Sequence, residues 1–132
     1  MMSASDAGSR EPTVFTVDTL ILYMGNDQKA QAIVAKIVAD AVATAAEPFS
    51  RAAAAARAGS YAEAAALLHG LRGSVGTLGT QRFVSAALAV ELAMAERRDA
   101  QLPALLLCVE EEFELALERA HAWLAVHDAR HL

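Results

Sequence analysis

The chain is poor in the residues that staple, kink or line most active sites. Among 132 residues it has one cysteine, three prolines and 5% aromatics, and acidic residues outnumber basic ones 16 to 11. A single thiol, Cys108, excludes an internal disulfide and points to a reducing compartment, read as the cytoplasm. The net charge of −5 argues against nucleic acid or an anionic membrane as the main partner. No apolar run approaches the ~20 residues of a membrane span, because charge interrupts the alanine-rich stretches. Met1 to Pro12 lack the basic-then-apolar pattern of a secretory leader. Strand signals are confined to β-branched residues around Thr13 to Val17, too few for a sheet. Phosphate-cradling loops and paired catalytic acids are missing too, so an independent enzyme is not expected.

What is abundant is alanine and leucine, both strong helix formers, punctuated by glycine. Residues 1–13 read as a disordered tail, residues 14–127 as one domain, and residues 128–132 as a C-terminal tail. A short helix is predicted from Val17 to Met24, stopped by Gly25. A long helix follows from about Asp27 to Ala58, with Val34, Ile37, Val38, Ala41 and Ala45 on its apolar stripe and Pro48 expected to kink it. Ser60-Tyr61-Ala62-Glu63 has the pattern of a capping box and announces a third helix that ends near Leu78-Gly79. Thr80 is placed as cap of a fourth helix, with Val84, Leu88, Leu92 and Ala95 on one face. Asp99 is placed as cap of a fifth, whose apolar positions Leu102, Leu106, Val109, Phe113, Ala116, Ala120 and Trp123 step by three and four. Helices joined by short loops pack antiparallel. The expected fold is therefore all-α: an up-down antiparallel four-helix bundle, with the short first helix covering one end.

One run stands out within this pattern. His69-Gly70-Leu71-Arg72-Gly73-Ser74-Val75-Gly76-Thr77-Leu78-Gly79 places a histidine in a helix with glycines one, four, seven and ten residues later. Glycine in a helix interior costs about 0.5–1 kcal/mol relative to alanine, so the repetition requires a reason. On a helical wheel, Ala62, Ala65, Ala66, Gly73 and Gly76 share the face of His69, and Arg72 lies beside it. Leu67, Leu71, Val75 and Leu78 occupy the opposite face. Imidazole is a competent nucleophile near neutral pH. Small neighbours let a protein bring a phosphoryl donor in line with it, and a guanidinium pairs with phosphate oxygens. Counting residues from the Leu78–Thr80 turn brings Glu91 within about one helical turn of His69 in height. A carboxylate there would accept a ring N–H and orient the imidazole.

The same run resembles the histidine-containing phosphotransfer (HPt) domain, whose motif is His-x-Leu-Lys-Gly-Ser-small-x-x-Leu-Gly. Gly25-Asn26-Asp27 looks like the family's Gly-Asp at the start of the long helix. Gly59-Ser60 looks like the Gly-Asp before the histidine helix, and Val90-Glu91 stands where the family has Leu-Glu or Leu-Gln. The likeness runs from about residue 14 to residue 125. It implies a phosphorelay intermediate in a two-component system, a monomeric phosphocarrier and not an enzyme, read here as freestanding with an excised module of a hybrid kinase as the alternative. Its partners would be response-regulator receiver domains and a hybrid sensor histidine kinase. It implies no cofactor on this chain, with Mg²⁺ belonging to the receiver. By this resemblance His69 accepts the phosphoryl group, Arg72 steadies it, Glu91 orients the ring and Gly73 leaves room for the partner. Arg72 departs from the family's lysine; it keeps the charge in a larger, planar head.

Other readings compete. A helical adaptor that binds a receiver without phosphotransfer would also present small residues; an exposed His69 favours the carrier, a covered one the adaptor. His127 and His131 have the four-residue spacing of a metal pair, with His121 nearby, but no companion ligands. Cys108 is expected in the core and Glu110-Glu111-Glu112 on a solvated face.

Overall fold

The computed structural model describes residues 11–127, so residues 1–10 of the tail read at 1–13, and the whole tail read at 128–132, lie outside the described residues. The described residues are helical, with no strand. Helix α1 spans Asp18–Tyr23, α2 Gln28–Arg57, α3 Tyr61–Ser74, α4 Gln81–Ala95 and α5 Leu102–His127. Short 3-10 turns at Gly76–Leu78 and Asp99–Gln101 lead into α4 and α5. No helix among the described residues is long and apolar enough to cross a membrane.

Local chemistry sets most of these boundaries. Gly25 and Asn26 take positive φ angles of 118° and 54° and break the chain after α1. The Asp27 carboxylate then accepts from the Ala30 N–H at 2.8 Å and caps α2. Pro48 is accommodated inside α2 without ending it. Three expected caps are not formed. The Ser60 side chain makes no cap bond, and Glu63 pairs instead with Arg51 of α2 at 3.5 Å. Thr80 is buried and its hydroxyl donates to the Val75 carbonyl at 2.9 Å, which ties the start of α4 to the end of α3. Asp99 likewise accepts from the Tyr61 hydroxyl at 2.9 Å, so it links two helices rather than capping one.

The long helices pack as neighbours: α2 against α3 and α5, and α4 against α3 and α5. A core cluster runs through all four, centred on Phe49, Phe83 and Phe113. Phe49 and Phe113 stack with centroids 4.0 Å apart, and Phe83 meets both at an angle. A second cluster joins Val17 and Ile21 to Val34, Val38, Leu78, Ala120 and Leu124. The segment around α1 therefore covers apolar residues of α2, α5 and the turn after α3. The tail boundary needs a small correction. Thr13 is held in place, because the Arg82 N–H donates to its carbonyl at 3.0 Å and its hydroxyl donates to the Gly79 carbonyl.

The inner face of α4 also differs from expectation. Leu88 and Leu92 are exposed, at 40% and 45%, while Phe83, Ala86, Ala87, Val90, Ala93 and Met94 are buried. The helix carries apolar residues on two stripes, and the one with the bulky Phe83 and Met94 turns inward. Cys108 is exposed on α5, not in the core.

The acidic run on α5 is more than a solvated face. Arg57 donates two hydrogen bonds to Glu110, at 2.8 and 2.9 Å, and Arg82 reaches Glu112 at 2.8 Å. Hydrogen bonding from Arg57 holds the Glu110 carboxyl below its usual range, against the opposing effect of partial burial. A depressed carboxylate stabilises the folded state at pH values above its unfolded titration, and that contribution is lost as the pH falls through the folded one. Glu110→Gln is therefore expected to cost about 0.5–1 kcal/mol at neutral pH. Urea unfolding should show the difference from wild type closing in acid, below the usual carboxylate range.

Candidate functional site

The site is built on α3. Ala64, Leu68 and Leu71 are buried on its inner face, followed by Val75 at its C-cap. Fixing that stripe in the core turns His69 outward, and His69 is exposed. Ala62, Ala66 and Gly73 are exposed with it, and Ala65 is half-buried. Ala62 and Ala65 line a shallow groove between α3 and α4, together with Glu91, Ala95 and Arg97.

The glycines of the run divide into two kinds. A Cβ added at Gly70 or Gly73 would meet nothing within 4 Å, so the fold does not require glycine at either position. Gly76 differs from its expected place in the cleared surface: a Cβ there would lie 3.1 Å from Val84 Cγ2, and its smallness serves the packing of the turn against α4. Gly79 has a positive φ of 68° and lies against the Thr16 backbone. Gly73→Ala is expected to raise stability by about 0.5–1 kcal/mol, the gain in helix propensity without a packing penalty. An upward shift of the urea midpoint checks it.

Arg72 is the centre of the polar network. Its Nε donates to Glu91 Oε2 at 2.6 Å and its Nη2 donates to Glu91 Oε1 at 3.1 Å. The same Nη2 lies 2.8 Å from His69 Nδ1. The pair is sheltered, with side-chain exposures of 23% for Arg72 and 13% for Glu91. Hydrogen bonding to Glu91 holds the Arg72 pKa above the already high guanidinium value, so Arg72 is a permanent cation here. Glu91 does not bond His69 directly, contrary to expectation. Arg72 stands between them, because a carboxylate gains more from a two-point, charge-assisted pair with a guanidinium than from one bond to a neutral imidazole. The structure thus brings His69, Arg72 and Glu91 together, in the order histidine, arginine, carboxylate. His69 Nε2 has no hydrogen-bond partner among the described residues.

Two features beside the site were not found from the sequence. Leu88 and Leu92 flank Glu91 on α4 as exposed apolar side chains. At the far end of the groove Arg97 lies over the Tyr61 ring, 5.1 Å from its centroid. Their signal was present: Leu88 and Leu92 sit three residues before and one after Glu91. Assigning them to the core hid it.

The other described histidines, His121 and His127, each lie against their own helix. His121 Nδ1 lies 2.9 Å from the Leu117 carbonyl and His127 Nδ1 lies 3.0 Å from the Trp123 carbonyl, each on its own helix. His127 also stacks on Trp123. No group of three metal-ligating side chains occurs among the described residues, and His131 lies outside them. Comparison with protein-family models, curated proteins and solved structures finds no match to this chain.

Proposed function

We propose that the chain is a histidine phosphotransfer protein that shuttles a phosphoryl group between receiver domains. The observation that carries this reading is the setting of His69. It is an exposed imidazole whose Nε2 has no partner among the described residues, beside an arginine anchored by a carboxylate and above glycines that the fold itself does not need. Those glycines lower helix stability and leave space. A partner surface approaching the ring would use that space.

In this reading Nε2 attacks the phosphorus of an aspartyl phosphate on a receiver. An N–P bond forms, the P–O bond to the acyl oxygen breaks, and aspartate leaves with the electron pair. Arg72 pairs with the phosphoryl oxygens, and the Mg²⁺ that assists belongs to the receiver. Ala62, Ala65, Ala66 and Gly73 form the surface under the partner, with Leu88 and Leu92 as its apolar edge. The chain needs no cofactor of its own and works as a carrier, not an enzyme, as a monomer in the cytoplasm. Its partners are a hybrid sensor histidine kinase and a response-regulator receiver. We further propose that α2 to α5 form an up-down antiparallel four-helix bundle with α1 at one end. The closed set of neighbouring helices and their connections of a few residues support that arrangement.

The second reading, an adaptor that binds a receiver without phosphotransfer, has one observation in its favour: Arg72 already occupies His69 Nδ1. Incubation with a ³²P-labelled receiver separates the two. The carrier acquires acid-labile label on a histidine; the adaptor binds the receiver and acquires none.

A further inference from the structure

The hydrogen bonds of the His69 network define a protonation state as well as a position. A guanidinium has N–H donors and no acceptor. The 2.8 Å contact from Arg72 Nη2 to His69 Nδ1 therefore has one direction, with arginine donating and Nδ1 accepting. A neutral imidazole has a single N–H, and when Nδ1 accepts, that hydrogen is on Nε2. Nε2 is also the ring nitrogen left free for a partner. Carrying a hydrogen, it has no in-plane lone pair with which to attack. The resting site holds its nucleophile in the unreactive tautomer.

We propose that Arg72 is a two-position switch: at rest it holds His69 in the Nε2–H tautomer, and it releases the ring when an acyl phosphate arrives. This rests on the phosphotransfer reading and adds a control step to it. The second position of Arg72 is on the phosphoryl oxygens, whose negative charge competes for the guanidinium with neutral Nδ1 and with Glu91.

The departure of Arg72 changes what surrounds the ring. The one nitrogen Nη2 contacts both His69 Nδ1 and Glu91 Oε1, at 2.8 and 3.1 Å, so removing it leaves the carboxylate on the Nδ1 side of the ring with its donors gone. A sheltered carboxylate without donors favours a new one. The ring gives up its Nε2 proton to solvent and takes one on Nδ1, with no net change in charge, and Nδ1–H donates to Glu91. Nε2 now has its lone pair. It attacks phosphorus, the P–O bond to the acyl oxygen breaks, and the carboxylate departs with the electron pair. The phosphorylated ring keeps its Nδ1 proton on Glu91. Glu91 is thus a positioning residue with two successive clients, Arg72 before transfer and His69 during it. Nucleophilicity appears when a phosphoryl group is present to draw Arg72 away.

The test is long-range ¹H–¹⁵N NMR of the ring nitrogens in the full ¹⁵N-labelled chain, at a pH where His69 is neutral. Wild type should show Nε2 protonated and Nδ1 with the shift of a lone-pair nitrogen. In Arg72→Ala, Glu91 is free and the two shifts should exchange, with Nδ1 protonated. Arg72→Ala combined with Glu91→Ala should lose that exchange. Protonated Nδ1 in wild type, or the same tautomer in wild type and Arg72→Ala, overturns the switch; the wild-type spectrum decides even if a variant folds poorly. Label transfer from a phosphorylated receiver to wild type is measured alongside. Label taken up by a wild type with protonated Nδ1 sinks the switch and leaves the carrier. An Nε2–H wild type that takes up no label sinks the carrier, and the switch falls with it.

Discussion

His69→Gln is expected to bring phosphoryl transfer from a labelled receiver down to background, a loss on the order of a thousandfold or more, as removal of a nucleophile produces. An amide has no nitrogen lone pair for phosphorus. The substitution changes little else. Position 69 is exposed, so stability should stay within about 0.5 kcal/mol of wild type. The glutamine oxygen can accept the hydrogen bond that Arg72 Nη2 gives to Nδ1, which leaves the arginine pair with Glu91 in place. Loss of label with an unchanged urea midpoint assigns the chemistry to His69. Label that persists points to another histidine. Among the described residues those are His121 and His127, whose Nδ1–H groups face carbonyls of α5, so that each Nε2 carries the lone pair; His127 is also stacked on Trp123.

His69 was legible because it interrupts a pattern: the leucines and valine that alternate with it on α3 had to go inward, so the histidine had to go out. The same logic failed on α4. Its alanines fit either face, and two stripes of larger apolar residues compete. The stripe with Leu88 and Leu92 looked as good as the one with Phe83, Val90 and Met94. Side-chain volume decided, through the aromatic cluster of Phe49, Phe83 and Phe113, which depends on contacts between distant parts of the chain. Residue counting across the turn brought Glu91 near His69, but not the choice Glu91 makes. That choice compares two donors, and the charged, forked one wins. Ser60 and Thr80 make the related point for caps. Each has the right residue type in the right place, yet tertiary partners took the groups involved: Arg51 took Glu63, and the Val75 carbonyl took the Thr80 hydroxyl.

Gly79→Ala should destabilise the protein by about 2–4 kcal/mol, although Gly73→Ala, six residues earlier, is expected to stabilise it. Two separate costs fall on position 79. The backbone there is left-handed, with φ 68° and ψ 30°, which costs an L-residue roughly 1–2 kcal/mol. A Cβ would also lie 2.2 Å from the Thr16 carbonyl oxygen and 2.8 Å from Thr16 Cγ2. Backbone cannot yield that much without moving the segment. Moving it breaks the bond from the Thr16 N–H to the Leu78 carbonyl at 3.0 Å and disturbs the Thr13 hydroxyl on the Gly79 carbonyl. It also loosens Val17, which is 2% exposed in the cluster that contains Leu78. Asparagine separates the two costs, because it tolerates the left-handed region but still brings a Cβ. Gly79→Asn should therefore remain destabilised in urea titrations. Recovery to wild-type stability would mean that conformation alone requires glycine, and that Thr16 can retreat without loss.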